Sequence, residues 1–194
     1  MSDSKVYLEF TKAREGGLSK AKTDSASKFP LPDGSGTHTN AGVTYKAFVE
    51  LSSKLGYTPS VQNFYGMIEN GIWEKIYNQY WVESGANLID SQAIANLIFQ
   101  ALWGGGHKEL VKSLQKYFSG WLKVDGQLGQ LTANKVNEMT AKNTIYEKML
   151  MEYLHGERIK YLKSLSAFKA NGKGWMARMD KLYEFNRSLI TSKK

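Results

Sequence analysis

Apolar residues recur at helical spacing along most of the chain. Near the N-terminus, apolar positions three to four residues apart predict a helix from about Ser4 to Arg14. Gly16-Gly17 is expected to end this helix through a left-handed cap, because glycine tolerates that conformation. Glu15 is therefore predicted at the very end of a helix.

The middle of the chain holds the most apolar segment. Ala93–Leu102 is apolar on most sides and is predicted to be the buried central helix. The glycine triplet at 104–106 is expected to end it with a cap and a sharp turn. Further helical patterns follow at 110–117, 132–139, 145–165 and 175–189.

The segment from Leu18 to Thr44 has a different character. Ser, Thr, Lys, Asp and Gly dominate it, and it contains Pro30 and Pro32, so it predicts a loop or a short irregular hairpin. The expected fold is mainly α, with a small irregular β wing.

Composition narrows the possible functions. Hydrophobic residues make up 42% of the chain, which is enough for a packed core. The net charge of +8 favours polyanionic partners such as nucleic acid, anionic lipid or bacterial cell wall. The chain contains no cysteine, which excludes disulfides, thiolate metal sites and a cysteine nucleophile. His38, His107 and His155 are far apart and lack metal-binding motifs, so we predict neither a metal nor another cofactor.

The N-terminal residues carry no secretory signal pattern, and no apolar run reaches membrane-spanning length. We therefore expect synthesis in the cytoplasm without a signal peptide and no membrane insertion. An extracytoplasmic target would require release or a non-classical export route.

Carboxylates are the remaining candidates for catalysis. Glycoside hydrolysis uses one carboxylic acid to protonate the leaving oxygen, and usually a second group to activate water or stabilise the cation. Glu15 suits the first role, because the negative end of a helix dipole favours a protonated carboxyl. From its position alone, however, Glu15 is better explained as a solvated residue at a helix end.

Several short motifs, taken in order along the chain, favour the catalytic role of Glu15 over the structural one. They are Glu15–Gly17, Thr39–Thr44, Tyr80-Trp81, Val124–Gly129 with Thr132, and Gly174–Arg178. Together they resemble glycoside hydrolase family 108, a family of lysozyme-like N-acetylmuramidases often of phage or prophage origin. The resemblance covers nearly the whole chain. It implies a lysozyme-like helical fold, with a lysozyme-like catalytic part at 1–103 and a helical, peptidoglycan-binding-like part at 104–194.

The resemblance implies a peptidoglycan hydrolase that cuts the β-1,4 bond between N-acetylmuramic acid and N-acetylglucosamine, with Glu15 as the catalytic acid. Asp24 has the spacing of the family's aspartate and would hold the attacking water with Thr39. Asp33 is a competing second carboxylate, since the loop before Thr39 is longer than the family pattern. A distant partner carboxylate predicts inversion of configuration, and a close one predicts retention.

Four further residues are candidate sugar ligands: Asn40, Tyr80, Trp81 and Gln100. Gln100 stands where the family usually has an aspartate, which motivates an alternative function as a non-catalytic peptidoglycan-binding or secretion-associated protein. In both cases the expected partner is peptidoglycan rather than nucleic acid, because no nucleic-acid recognition motif appears. The sequence leaves the oligomeric state open, and we expect a monomer.

Overall fold

A computed structural model describes residues 1–191. Helices dominate these residues, and a two-stranded antiparallel sheet is their only sheet. The predicted mainly α fold with a small β wing is therefore confirmed. Residues 5–79 form one compact unit, and residues 1–4 with 80–191 form another. The division into a catalytic and a binding part at 103/104 concerns function, which compactness does not test, so it stays a prediction.

The unit of residues 5–79 contains short helices around an aromatic core. Its helices are α1 (Ser4–Lys12), a 3-10 helix (Ser25–Lys28), α2 (Tyr45–Leu55), α3 (Val61–Tyr65) and the first part of α4 (Ile72–Glu83). Its largest fully buried side chains are Phe48, Phe64, Met67, Trp73, Ile76 and Tyr77. These buried side chains form the core of the unit.

Helix α1 ends earlier, and by another device, than predicted. Its last helical residue is Lys12, and neither Gly16 nor Gly17 has a positive φ, so the left-handed cap was wrong. The carbonyl oxygen of Thr11 instead accepts hydrogen bonds from the N–H groups of Arg14, at 2.9 Å, and Glu15, at 3.1 Å. These bonds satisfy a terminal carbonyl without glycine. Glu15 therefore lies just outside the helix, separated from Lys12 by two turn residues.

The β wing is a tight hairpin. Strands β1 (Thr39–Asn40) and β2 (Val43–Thr44) pair antiparallel, with Asn40 opposite Val43. Ala41 and Gly42 form the two-residue turn, with φ of 43° and 78°. Positive φ at both turn positions is typical of the type I′ turn, whose twist matches that of paired strands.

The second unit is built around a fully buried helix. Helix α5 (Gln92–Trp103) has nine consecutive buried residues, 93–101, as the apolar pattern predicted. The glycines after it form the expected turn, with φ of 79° at Gly105 and 89° at Gly106. The unit also contains the last part of α4 and a 3-10 helix (Ala86–Leu88). Its other helices are α6 (His107–Tyr117), α7 (Gln130–Lys142), α8 (Thr144–Ser164) and α9 (Phe168–Thr191).

Residues 1–191 contain neither a membrane-spanning helix nor a cluster of side chains suited to a metal ion. No helix of this part is long and apolar enough to cross a membrane. Nor does this part contain a group of three or more histidine, cysteine, aspartate or glutamate side chains placed to hold a metal ion.

Candidate active site

The segment after Glu15 runs beside the hairpin. The N–H of Ser19 donates to the carbonyl oxygen of Thr39 at 2.8 Å, and the N–H of Ala41 donates to that of Gly17 at 3.3 Å. Two motifs that lie more than twenty residues apart in sequence are thus joined by backbone hydrogen bonds. Glu15, which is half-buried, leads directly into this pairing.

The tip of the hairpin is held in a strained conformation. Ala41 is the only non-glycine residue with positive φ among those the structure describes, and its side chain is buried. The left-handed region costs an ordinary L-residue about 1–2 kcal/mol. The buried indole N–H of Trp73 donates to the Ala41 carbonyl oxygen at 2.9 Å. Strain of this kind persists only where the surroundings fix the backbone.

Thr39 lies in β1 with a largely buried side chain. Its hydroxyl is 3.0 Å from Nδ1 of the buried His38. The other ring nitrogen of His38, Nε2, is buried without a hydrogen-bond partner in the described part of the chain. From the sequence, His38 was a candidate only for metal binding, and its contact with the neighbouring threonine was not predicted.

Asp33 is an exposed carboxylate with a fixed orientation. Its Oδ2 accepts a hydrogen bond from the hydroxyl of Tyr65 at 2.6 Å, and its Oδ1 accepts one from the N–H of Ser35 at 2.9 Å. These donors, and more weakly the charge of Lys20, lower the pKa of Asp33 below its usual value. Asp33 is therefore ionised at neutral pH.

Asp24 is engaged differently. It is exposed, and its Oδ1 accepts the N–H of Ala26 at 2.9 Å. It thereby caps the 3-10 helix that begins at Ser25. Capping by a short polar side chain is an ordinary structural role, and the predicted catalytic role of Asp24 stays a prediction.

Asn40 ties the hairpin to helix α3. Its side-chain Nδ2 donates to the carbonyl oxygens of Phe64, at 2.8 Å, and Tyr65, at 3.3 Å. The side chain is buried and serves these two terminal carbonyls of a short helix. Its predicted contact with a sugar stays a prediction.

The other candidate sugar ligands lie in the second unit. Tyr80 packs edge-on against Trp103, with ring centroids 5.6 Å apart. Trp81 is 3% exposed and packs on Phe99, so its indole belongs to the core. The buried Oε1 of Gln100 accepts a hydrogen bond from the Arg158 guanidinium at 3.1 Å. Sugar binding by these residues is untested.

The second unit also has a groove of about 600 Å³ that the sequence analysis did not predict. Two strongly exposed apolar side chains line it, Trp121 at 75% exposure and Leu131 at 79%. Lys135, also on its wall, lies with its ammonium 4.8 Å from the Trp121 ring centroid. In the sequence, a single tryptophan in a polar turn is a weak indication of a binding site. In the structure, a highly exposed tryptophan beside a groove is a strong one.

Gln115 organises the loop beside this groove. Its buried amide accepts hydrogen bonds from the N–H groups of Asp125, at 3.0 Å, and Gly126, at 2.8 Å. It also donates to Asp125 Oδ1 at 2.9 Å and to the carbonyl oxygen of Gln127 at 3.1 Å. One planar amide thus serves four groups of a single loop, which fixes that wall of the groove.

The fold resembles that of a protein of known structure, Brucella abortus SagA. The two chains align with a TM-score of 0.69 and 21% sequence identity, over 98% of this chain and 97% of the other. At that identity the likeness shows the fold alone. No family model matches the chain, and a search of curated proteins gave no significant match. Membership of glycoside hydrolase family 108 therefore stays a prediction.

Proposed function

We propose that the chain is a peptidoglycan hydrolase, an N-acetylmuramidase that cuts the β-1,4 bond of cell-wall glycan with Glu15 as its general acid. The observation that supports this most is the backbone pairing of Gly17 and Ser19 with Ala41 and Thr39. It brings the Glu-Gly-Gly and Thr-Asn-x-Gly motifs, on which the resemblance rests, into one local structure.

The proposed reaction needs two groups in different protonation states. Glu15 donates its proton to the leaving oxygen, and an ionised partner directs water or stabilises the developing cation. We assign the partner role to Asp33 rather than Asp24. The carboxylate of Asp33 is oriented by a tyrosine and kept ionised, whereas that of Asp24 caps a helix turn. Thr39 is the proposed ligand of the water.

The test compares release of soluble fragments from purified peptidoglycan by the wild type, Glu15→Gln and the matched control Glu9→Gln. Glu9 is an exposed glutamate of helix α1, which ends shortly before Glu15. We expect Glu15→Gln to lower the rate at least about a hundredfold, the usual contribution of a general acid, and Glu9→Gln to retain it. Mass spectrometry of the fragments identifies the bond that is cut. Equal activity of Glu15→Gln and the wild type would refute the assignment.

The same assay separates the two aspartates. Asp33→Asn should lose most activity, because an amide cannot carry the negative charge that the reaction uses. Asp24→Asn should retain activity, since an asparagine side-chain oxygen also caps a helix turn. The reverse result would transfer the partner role to Asp24.

A second candidate function is non-catalytic binding of peptidoglycan, and the groove at Trp121 favours it. An exposed aromatic face suits the apolar face of a sugar ring, and the adjacent Gln127, Gln130 and Asn134 side chains offer amide donors and acceptors. We expect Trp121→Ala to weaken sedimentation with peptidoglycan when it is introduced beside Glu15→Gln. Wall binding without fragment release by the wild type would favour this function over hydrolysis, and the site of action would be the cell wall in either case.

A further inference from the structure

The Tyr65 side chain is not held in place by burial in the core. It ends helix α3 next to Phe64, which is fully buried, yet its own side chain is exposed. Its hydroxyl donates to Asp33, 32 residues earlier in the chain, at 2.6 Å. An O–H to carboxylate bond of this length belongs to the strong, charge-assisted class.

The backbone of Tyr65 is fixed from the other side. Its carbonyl oxygen and that of Phe64 accept from the buried Asn40 side chain. Asn40 directly follows Thr39 in strand β1. A continuous chain of contacts therefore runs from the hairpin, through the end of α3, to the carboxylate of Asp33.

We propose that Tyr65 is a positioning residue that sets the orientation of the Asp33 carboxylate relative to the hairpin bearing Thr39. This inference rests on the proposed hydrolase function and extends it to a residue outside the motifs. Tyr65 makes no bond to substrate. It acts by removing the rotational freedom of a carboxylate on an exposed turn, and by favouring its ionised form.

The charged and polar groups around Asp33 define the expected pH effect. They are the Tyr65 hydroxyl, the Ser35 N–H and hydroxyl and, at longer range, Lys20, all of which favour the carboxylate. Tyr65→Phe removes one donor, so the pKa of Asp33 should rise. If ionised Asp33 is needed, the acid limb of kcat/KM must move to higher pH, while the alkaline limb stays in place.

The test uses the full chain and soluble, uncrosslinked glycan strands prepared from peptidoglycan. We expect Tyr65→Phe to lower kcat/KM about tenfold on the acid limb, equivalent to one charged hydrogen bond at the low end of its range. Tyr146→Phe, which removes an exposed hydroxyl on α8, is the control. Combining Tyr65→Phe with Asp33→Asn should reduce activity no further than Asp33→Asn alone. A further reduction, or an unshifted acid limb, would overturn the inference.

A measurement without substrate separates this inference from the proposed function. The carbon-13 signal of the Asp33 side-chain carboxyl reports its titration in the wild type and in Tyr65→Phe. A higher pKa in the variant supports the contact, and an unchanged pKa rejects it. If the wild type cuts no glycan, the hydrolase proposal fails by itself. If the wild type cuts glycan and Tyr65→Phe behaves identically, only the role of Tyr65 fails.

Discussion

The indole N–H of Trp73 donates to the carbonyl oxygen of Ala41 across 2.9 Å, and this bond fixes the tip of the hairpin. Both groups are buried, so water could not replace this hydrogen bond if it were broken. At the same tip, the N–H of Ala41 donates to the carbonyl oxygen of Gly17. The strained turn and the segment that follows Glu15 are therefore parts of one structural element.

The conformation of Ala41 predicts the effect of branching at that position. Ala41→Val places a β-branched side chain at a φ of 43° and should destabilise the protein by about 2 kcal/mol. Ala41→Gly is the control, because relief of backbone strain offsets the loss of a buried methyl group. Urea unfolding measures both variants. A valine variant as stable as the wild type would show that the turn is not constrained as described.

Two adjacent glycines after α5 provide a second prediction. Gly105 and Gly106 both have positive φ, but a Cβ at Gly105 meets open space, whereas one at Gly106 would overlap a ring carbon of Tyr161. Gly105→Ala should cost only the backbone strain, about 1–2 kcal/mol. Gly106→Ala adds a steric clash and should cost about 3 kcal/mol or more.

Thermal and urea unfolding of this pair isolate the clash, since the two variants add the same methyl group in the same backbone region. Similar losses of stability would show that Tyr161 moves aside at little cost. A loss confined to Gly106→Ala would instead mean that the strain at Gly105 is relieved elsewhere in the turn.

The sequence predicted features that depend on neighbours along the chain. The predictions of a buried helix at α5 and of a glycine turn after it were correct. Both depend on local properties, namely the spacing of apolar residues and the backbone freedom of glycine. The predicted end of α1 was wrong, because a pair of glycines indicates a left-handed cap only where no other group satisfies the last carbonyl oxygens of the helix. Here Thr11 accepts two N–H groups of the following turn.

The pattern of apolar and polar positions did not predict contacts between residues that lie far apart in sequence. The partner of Asp33 is Tyr65, and no periodicity links two polar groups separated by 32 residues and a hairpin. The aspartate alone fitted an ordinary turn. Trp121 was missed for the same reason, because a groove forms only when α6, α7 and the loop between them are assembled.

The loop beside the Trp121 groove depends on Gln115 acting as both donor and acceptor. Gln115→Glu keeps the shape and the acceptor for the N–H groups of Asp125 and Gly126. It loses the bonds that the amide nitrogen donates to Asp125, Gln127 and Thr132. It also places a second carboxylate beside that of Asp125. We expect a loss of about 3 kcal/mol near neutral pH, in the range for a disrupted buried polar network. A smaller loss at acid pH, where both carboxyls are protonated, would identify charge repulsion as the cause, and a pH-independent loss would contradict it.

The pKa of Asp125 predicts how the stability of the protein changes with pH. Hydrogen bonds from the Gln127 N–H and the Gln115 amide lower its pKa below the ordinary 3.8 in the folded protein. The folded state therefore favours the ionised carboxylate. Its stabilising contribution is complete above the unfolded pKa and is lost as the pH falls through the lower, folded value.

The measurement compares urea unfolding of the wild type and Asp125→Asn at a series of pH values, since the amide resembles the protonated acid. The stability difference should be constant between about pH 7 and pH 5 and should shrink below about pH 4. High salt screens the charge of Lys123 but leaves the hydrogen bonds, so the same pH dependence should persist in salt. A difference that does not change with pH would mean that the charge of Asp125 contributes nothing to the loop. If the pH dependence disappears in salt, attraction to Lys123 rather than hydrogen bonding stabilises it.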